Sequence, residues 1–132
     1  MAYKRSELRE KIMIMLYQID INESQKINYN IVSVINTNVD KPNAFVSDIL
    51  YGVIKHKNDI DKTANKYMEN WTISRLDKTG AAILRMALYE LLYTDTPKAV
   101  VINEAVELAK KYSDDAVRKM INAVLDKTLN EI

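Results

Sequence analysis

From Pro97 to Ile132 the chain carries two apolar stripes of helical period, separated by no more than a short turn. Ile102, Ala105, Val106, Ala109 and Tyr112 share one face of the first, and Val117, Met120, Ile121, Val124, Leu125 and Ile132 trace the second. Thr96 offers a cap to the first helix, whose opening turn tolerates Pro97. Ser113 offers a cap to the next, with Asp114 and Asp115 at the positive end of its dipole. So short a join makes the pair fold back on itself.

The same period extends towards the N-terminus, and only two glycines and two prolines punctuate 132 residues. An all-α fold follows, because little in the chain supports strands. The spacing predicts a first helix from about Tyr3 to Asp20, with Leu8, Ile12, Met15, Leu16 and Ile19 inward and Arg5 and Arg9 as neighbours one turn apart. Ser24 to Asn36 reads as a second helix through Ile27, Ile31, Val34 and Ile35, although its β-branched run is also strand-like. After a loop over residues 37–42, Asn43 caps a long helix holding Phe45, Val46, Ile49, Leu50, Val53, Ile60, Ala64, Tyr67 and Met68 inward, with a bend between Lys55 and Asp59. Ser74 and Asp77 approximate a capping box, and Gly80 weakens or kinks the start of the helix that runs to Tyr93. Six main helices in one domain over residues 1–132 are expected.

Composition narrows the chemistry. Without cysteine and with one histidine, His56, the chain has no thiolate nucleophile and a poor metal-ligand set; Gly52 and Gly80 alone cannot build a phosphate-cradling loop. No cofactor and no enzymatic activity are expected, and His56 reads as a surface or bend residue. No run approaches the roughly 20 apolar residues that span a bilayer, and the N-terminal stretch lacks a cleavable leader pattern, so a soluble cytoplasmic protein is expected. Glu104 reads as a carboxylate favoured by a helix N-terminus and paired with Arg85, Asn122 as a buried hydrogen-bonding residue, and Tyr17, Trp71 and Tyr89 as core or rim.

Nineteen basic against eighteen acidic residues leave a formal charge of +1, so any electropositive site is local. Among residues 1–11, Lys4, Arg5, Arg9 and Lys11 face only Glu7 and Glu10, a net side-chain charge of +2 joined by the amino terminus and the helix dipole. Phosphate contact is feasible there, with Tyr17 three turns beyond Arg5 as a stacking surface. The alternative is an ordinary solvated first turn screened by Glu7 and Glu10, and spacing alone favours it.

The order of residues adds what spacing cannot. Arg9-Glu10 is followed by Leu16-Tyr17-Gln18, Trp71 precedes Arg75-Leu76, and the runs Ile83–Leu91, Ile102–Tyr112 and Ile121–Lys127 follow at compatible separations. Together these blocks resemble the bacterial NusB family of transcription antitermination factors over essentially the whole chain. The resemblance implies a compact helical domain of two packed three-helix bundles. It also implies binding of the boxA element of ribosomal RNA transcripts, a heterodimer with ribosomal protein NusE, and entry into the RNA polymerase elongation complex. Such a domain also occurs fused to ribosomal RNA methyltransferases; this chain ends where the domain ends, so the stand-alone factor is expected.

Carried over residue by residue, the family's RNA contacts fall on Lys4, Arg5, Arg9 and Tyr17, and near the start of the last helix on Lys119, Met120 and Asn122. Ser6 and Glu7 stand where the family often has arginines, Met120 where an aromatic is common, and Gly80-Ala81 where charged residues are frequent, with Gly80 falling at the NusE-facing surface. Those departures keep a second expectation open, a helical protein-interaction module or homodimer without RNA affinity of its own.

Overall fold

The computed structural model describes residues 3–132, and among them helices and turns account for the architecture, with no strand. The amino terminus counted in the N-terminal charge lies outside the described residues. In chain order come α1 (Arg5–Ser24), α2 (Ile31–Asn38), α3 (Ala44–Lys55), α4 (Lys57–Tyr67), a 3-10 turn over Ile73–Arg75, α5 (Lys78–Tyr93), α6 (Lys98–Tyr112) and α7 (Asp115–Glu131).

Short polar side chains set most of these boundaries. Asn30, Asn43, Asp77 and Asp114 each accept the N–H of the residue three further on, opening α2, α3, α5 and α7. Three expectations shift as a result. The last helix is capped by Asp114, while Ser113 closes α6 and its hydroxyl donates to Asp77 over 3.1 Å. Ser74 sits in the 3-10 turn, leaving Asp77 to cap α5 alone. Pro97 occupies the cap position of α6 with no side-chain bond, and Thr96 instead meets the Thr94 hydroxyl. The second helix is shorter than its apolar spacing suggests, because Asn30 starts it and leaves Ile27 exposed in the connecting turn.

The expected long helix is two. His56 takes a conformation outside the helical range, with φ −102° and ψ 14°, yet its N–H still bonds to the Gly52 carbonyl and its own carbonyl accepts from Ile60. The break thus falls inside the stretch where the bend was expected and gives seven helices. His56 fills the joint by stacking on Tyr93, with ring centroids 4.2 Å apart and planes within 17°.

α5 is the axis of the fold, packing against α1, α3, α4, α6 and α7. α1 carries α2 and α3 on one side of it, while α4, α6 and α7 gather on the other, so the two-bundle arrangement stands with four helices in the second bundle. α6 and α7 fold back on each other as their sequence predicts. One continuous apolar cluster runs through both groups, from Ile12 and Leu50 to Ile121 and Leu125. α5 runs continuously from Lys78 to Tyr93 through Gly80. A Cβ there would stand 2.8 Å from Val117 Cγ1 and 2.7 Å from Asp77 Oδ1, so the missing side chain is what lets α7 approach.

Two arginines lock the helices together. Arg85 reaches Asp61 at 2.8 Å and Asp20 at 3.3 Å, joining α5 to α4 and α1. Burial works against its charge, but the bonds to Asp61 and Asp20 outweigh it and raise its pKa. Arg9 is the second, and it bears directly on the site.

Candidate nucleic-acid interface

α1 presents two chemically different faces. On the inner one, Arg9 is only 3% exposed and forks onto Glu90 of α5, with Nε–Oε1 at 2.7 Å and Nη2–Oε2 at 2.8 Å. Glu104 of α6 stands 4.0 Å from its Nη1. The hydrogen bonds to Glu90 raise the arginine's pKa in spite of burial, so the group is a fixed cation. This corrects two expectations. Arg9 is turned inward, two of its donors bonded to a buried carboxylate, where an open phosphate contact was expected; and Glu104 faces Arg9, not Arg85.

Lys4, Arg5 and Tyr17 are exposed, Arg5 on the same side of α1 as Arg9 and Tyr17 about 120° further around the helix axis. Lys4 opens the helix, and its N–H donates to Glu7 at 3.2 Å. Glu7 is thus spent on the helix start, as its position in the first turn favours. Arg5 lays its guanidinium over the Phe45 ring, 4.5 Å from the centroid, and Arg9 lies 5.2 Å from the same ring. The two arginines are neighbours, as their spacing predicts, but only Arg5 is open to solvent. Neither Lys4 nor Arg5 forms an ion pair among the described residues. Held on Phe45, Arg5 keeps its donors outward at little entropic cost. Tyr17, 39% exposed, lies outside the core where a core or rim position was expected, as does Trp71 at 46%; Tyr89 is half-buried against Gly52.

The second group lies on the opening turns of α7. Lys119 is exposed and 3.6 Å from Asp115, a pair that water and salt weaken readily. Met120 is half-buried against the core. Asn122 is half-buried and makes no side-chain hydrogen bond among the described residues, which differs from the buried, bonded amide expected. Among the described residues, no hydrogen bond or ion pair links Lys119, Met120 or Asn122 to α1. What joins the two regions is a clasp at the end of α6, where Lys111 Nζ lies 3.1 Å from the Glu10 carboxylate and the Tyr112 hydroxyl also donates to Glu10. The Tyr112 bond, then Lys111, hold the Glu10 carboxyl below its ordinary range.

The sequence model of the NusB family matches residues 6–130. The chain belongs to the NusB family. Among its relatives, the transcription antitermination protein NusB of Staphylococcus aureus is 43% identical over 122 residues, covering 92% of this chain and 95% of its own. That of Macrococcus caseolyticus is 39% identical over 127 residues, covering 95% of each. T. maritima NusB superposes with a TM-score of 0.85 at 26% identity, covering 99% of this chain and 94% of its own. A structure of antitermination factors NusB and NusE in complex with dsRNA shares the fold at TM-score 0.81 and 23% identity, over 97% of each chain.

Within this NusB fold, Lys111 and Tyr112 escaped the sequence reading. Tyr112 extends the apolar stripe of α6, so periodicity placed it inward; its exposed ring and hydroxyl turn instead to Glu10. The Lys110-Lys111-Tyr112 run at a helix end was the available signal, since basic residues beside an aromatic suit a nucleic-acid surface.

Proposed function

We propose that this chain is a non-enzymatic transcription antitermination factor of the cytoplasm. It binds boxA-type RNA of ribosomal RNA transcripts together with ribosomal protein NusE and joins the RNA polymerase elongation complex. The observation that carries this reading is the family match over residues 6–130, with curated antitermination proteins about 40% identical along nearly the whole chain. The surface chemistry agrees with it. Lys4, Arg5 and Lys119 reach phosphates and set register, while Tyr17 and Asn122 meet bases or sugars. Met120 supports the opening turns of α7 from its half-buried position, and Arg9 positions α1 from beneath, without touching RNA.

Few free cations means a small electrostatic footprint. With two to four phosphates neutralised, the slope of log affinity against log salt should lie at roughly −1.4 to −2.8, at about 0.7 per phosphate for a single strand. The test is a titration of boxA-type RNA with this protein, with NusE and with both, at fixed salt. Both together should bind tighter than either alone. If they bind no tighter than NusE alone, the chain is a helical adaptor and the RNA-binding reading fails.

A further inference from the structure

Between α1 and α2 runs an open groove of about 430 Å³, and its walls are chemically unlike the N-terminal basic cluster. No charged side chain lines it. Tyr17 and Tyr29 supply aromatic surface, and Gln18, Asn22, Asn30 and Ser33 supply amides and a hydroxyl. Much of this polar capacity is unspent. Asn30 uses its carbonyl oxygen to cap α2 and Gln18 uses its own to accept from Asn38, so each keeps its NH₂. Asn22 makes no side-chain hydrogen bond among the described residues, leaving a donor and an acceptor on one side chain. Burial, then the Glu23 carboxylate, push the Tyr29 phenol up, so that the ring stays neutral.

We infer that this groove receives one unpaired nucleobase of the bound RNA, stacked on Tyr17 and Tyr29 and read by Asn22, Asn30 and Gln18. The inference rests on the RNA-binding reading above and adds a specificity site to it. A groove without cations, beside a carboxylate, repels a phosphate, whereas a neutral base with donors and acceptors on its edge suits aromatic walls and free amides. The groove includes exposed Tyr17, about 18 Å along the axis of α1 from Arg5 at 1.5 Å per residue and about 120° around it. A strand held by its phosphates at Lys4 and Arg5 therefore has to wind part-way around α1 to reach the groove.

The test measures affinity of the complex with NusE for boxA-type RNA and for the same RNA carrying a single abasic nucleotide at each position in turn. Tyr29→Ala should weaken the parent RNA about tenfold, the order of one lost base stack. One abasic RNA should show the same loss with the unaltered protein and no further loss with Tyr29→Ala. Tyr29→Phe should retain binding. Asn22→Ala, whose side chain has no protein partner to lose, should weaken the parent RNA several-fold with the thermal midpoint unchanged, which separates recognition from folding. Parental affinity in both alanine variants overturns the groove alone, as does an equal loss across every abasic RNA. Weakened NusE binding in the absence of RNA would make the groove a protein-docking surface and also overturns it. If the unaltered protein with NusE fails to bind the parent RNA, the antitermination reading itself falls, and the groove with it.

Discussion

α5 and α2 are both apolar helices, but α5 buries eleven of its sixteen residues while α2 buries none of its eight. The difference is one of surroundings. Five helices enclose α5, whereas α2 leans mainly on α1 through half-buried Ile31, Val34 and Ile35. Its end is clasped by Asn38, which donates to Gln18 and accepts from Lys11, each at 3.0 Å. Stability is thus concentrated in one helix, and adaptable surface in the other. α1 repeats the contrast within one element, since Arg9 is a buried strut to α5 and Arg5, one turn away, is an open donor.

The sharpest way to break this comparison is to remove the strut's partner. Glu90→Ala leaves the Arg9 cation buried with only Glu104 at 4.0 Å, and should lower the unfolding free energy by about 3–5 kcal/mol. Urea denaturation reads it directly; a loss below about 1 kcal/mol would mean that Arg9 swings out to water and that the inner face is not fixed. Next in size is Gly80→Ala. Alanine improves helix propensity by about 1 kcal/mol, but its methyl would press on Val117 and on the capping carboxylate of Asp77. Overpacking of about 1–3 kcal/mol should prevail, and a stabilised variant would show that α7 yields more easily than its packing implies.

The helical fold was legible because its signal is local. Periodicity located the helices, and Asn43 marked a cap that the structure retains. Where expectations moved, two neighbouring polar residues competed for one role, as at Ser113 against Asp114, and only the backbone decides between them. Arg9 was illegible for a different reason. Its spacing from Arg5 puts both arginines on adjoining turns, while Glu90, which removes one from the surface, lies 81 residues away. Tyr112 escaped because an apolar stripe cannot tell the last buried position from the first exposed one. Periodicity placed Met120 and Asn122 inward, and only their RNA roles rested on resemblance; what the stripe could not tell was that Asn122 would be half-buried without a side-chain partner among the described residues.

Smaller effects attach to the clasp between α1 and α6. Glu10 sits below its ordinary carboxylate range, so its charged form stabilises the fold above a pH of about 4.3, its unfolded value, and that contribution fades as pH falls through the lowered folded value. The same bond raises the Tyr112 phenol, so its share is complete below a pH of about 10 and is lost as pH rises through the raised value. Glu10→Gln should therefore flatten the acid limb of a plot of thermal midpoint against pH. Coincident acid limbs would show that the clasp is broken in solution.

The smallest expected effect tests α2 itself. Val32 is 56% exposed, so Val32→Ser should change the unfolding free energy by no more than about 0.5 kcal/mol. α2 amides should exchange with deuterium through local opening at lower free energy than those of α5, because few of the contacts holding α2 are buried. A cost above about 1 kcal/mol, or amides protected as well as those of α5, would mean that something covers the outer face of α2. If that cover is a second copy of the chain, both quantities rise with protein concentration; if they do not, α2 is held by α1 more firmly than its burial implies.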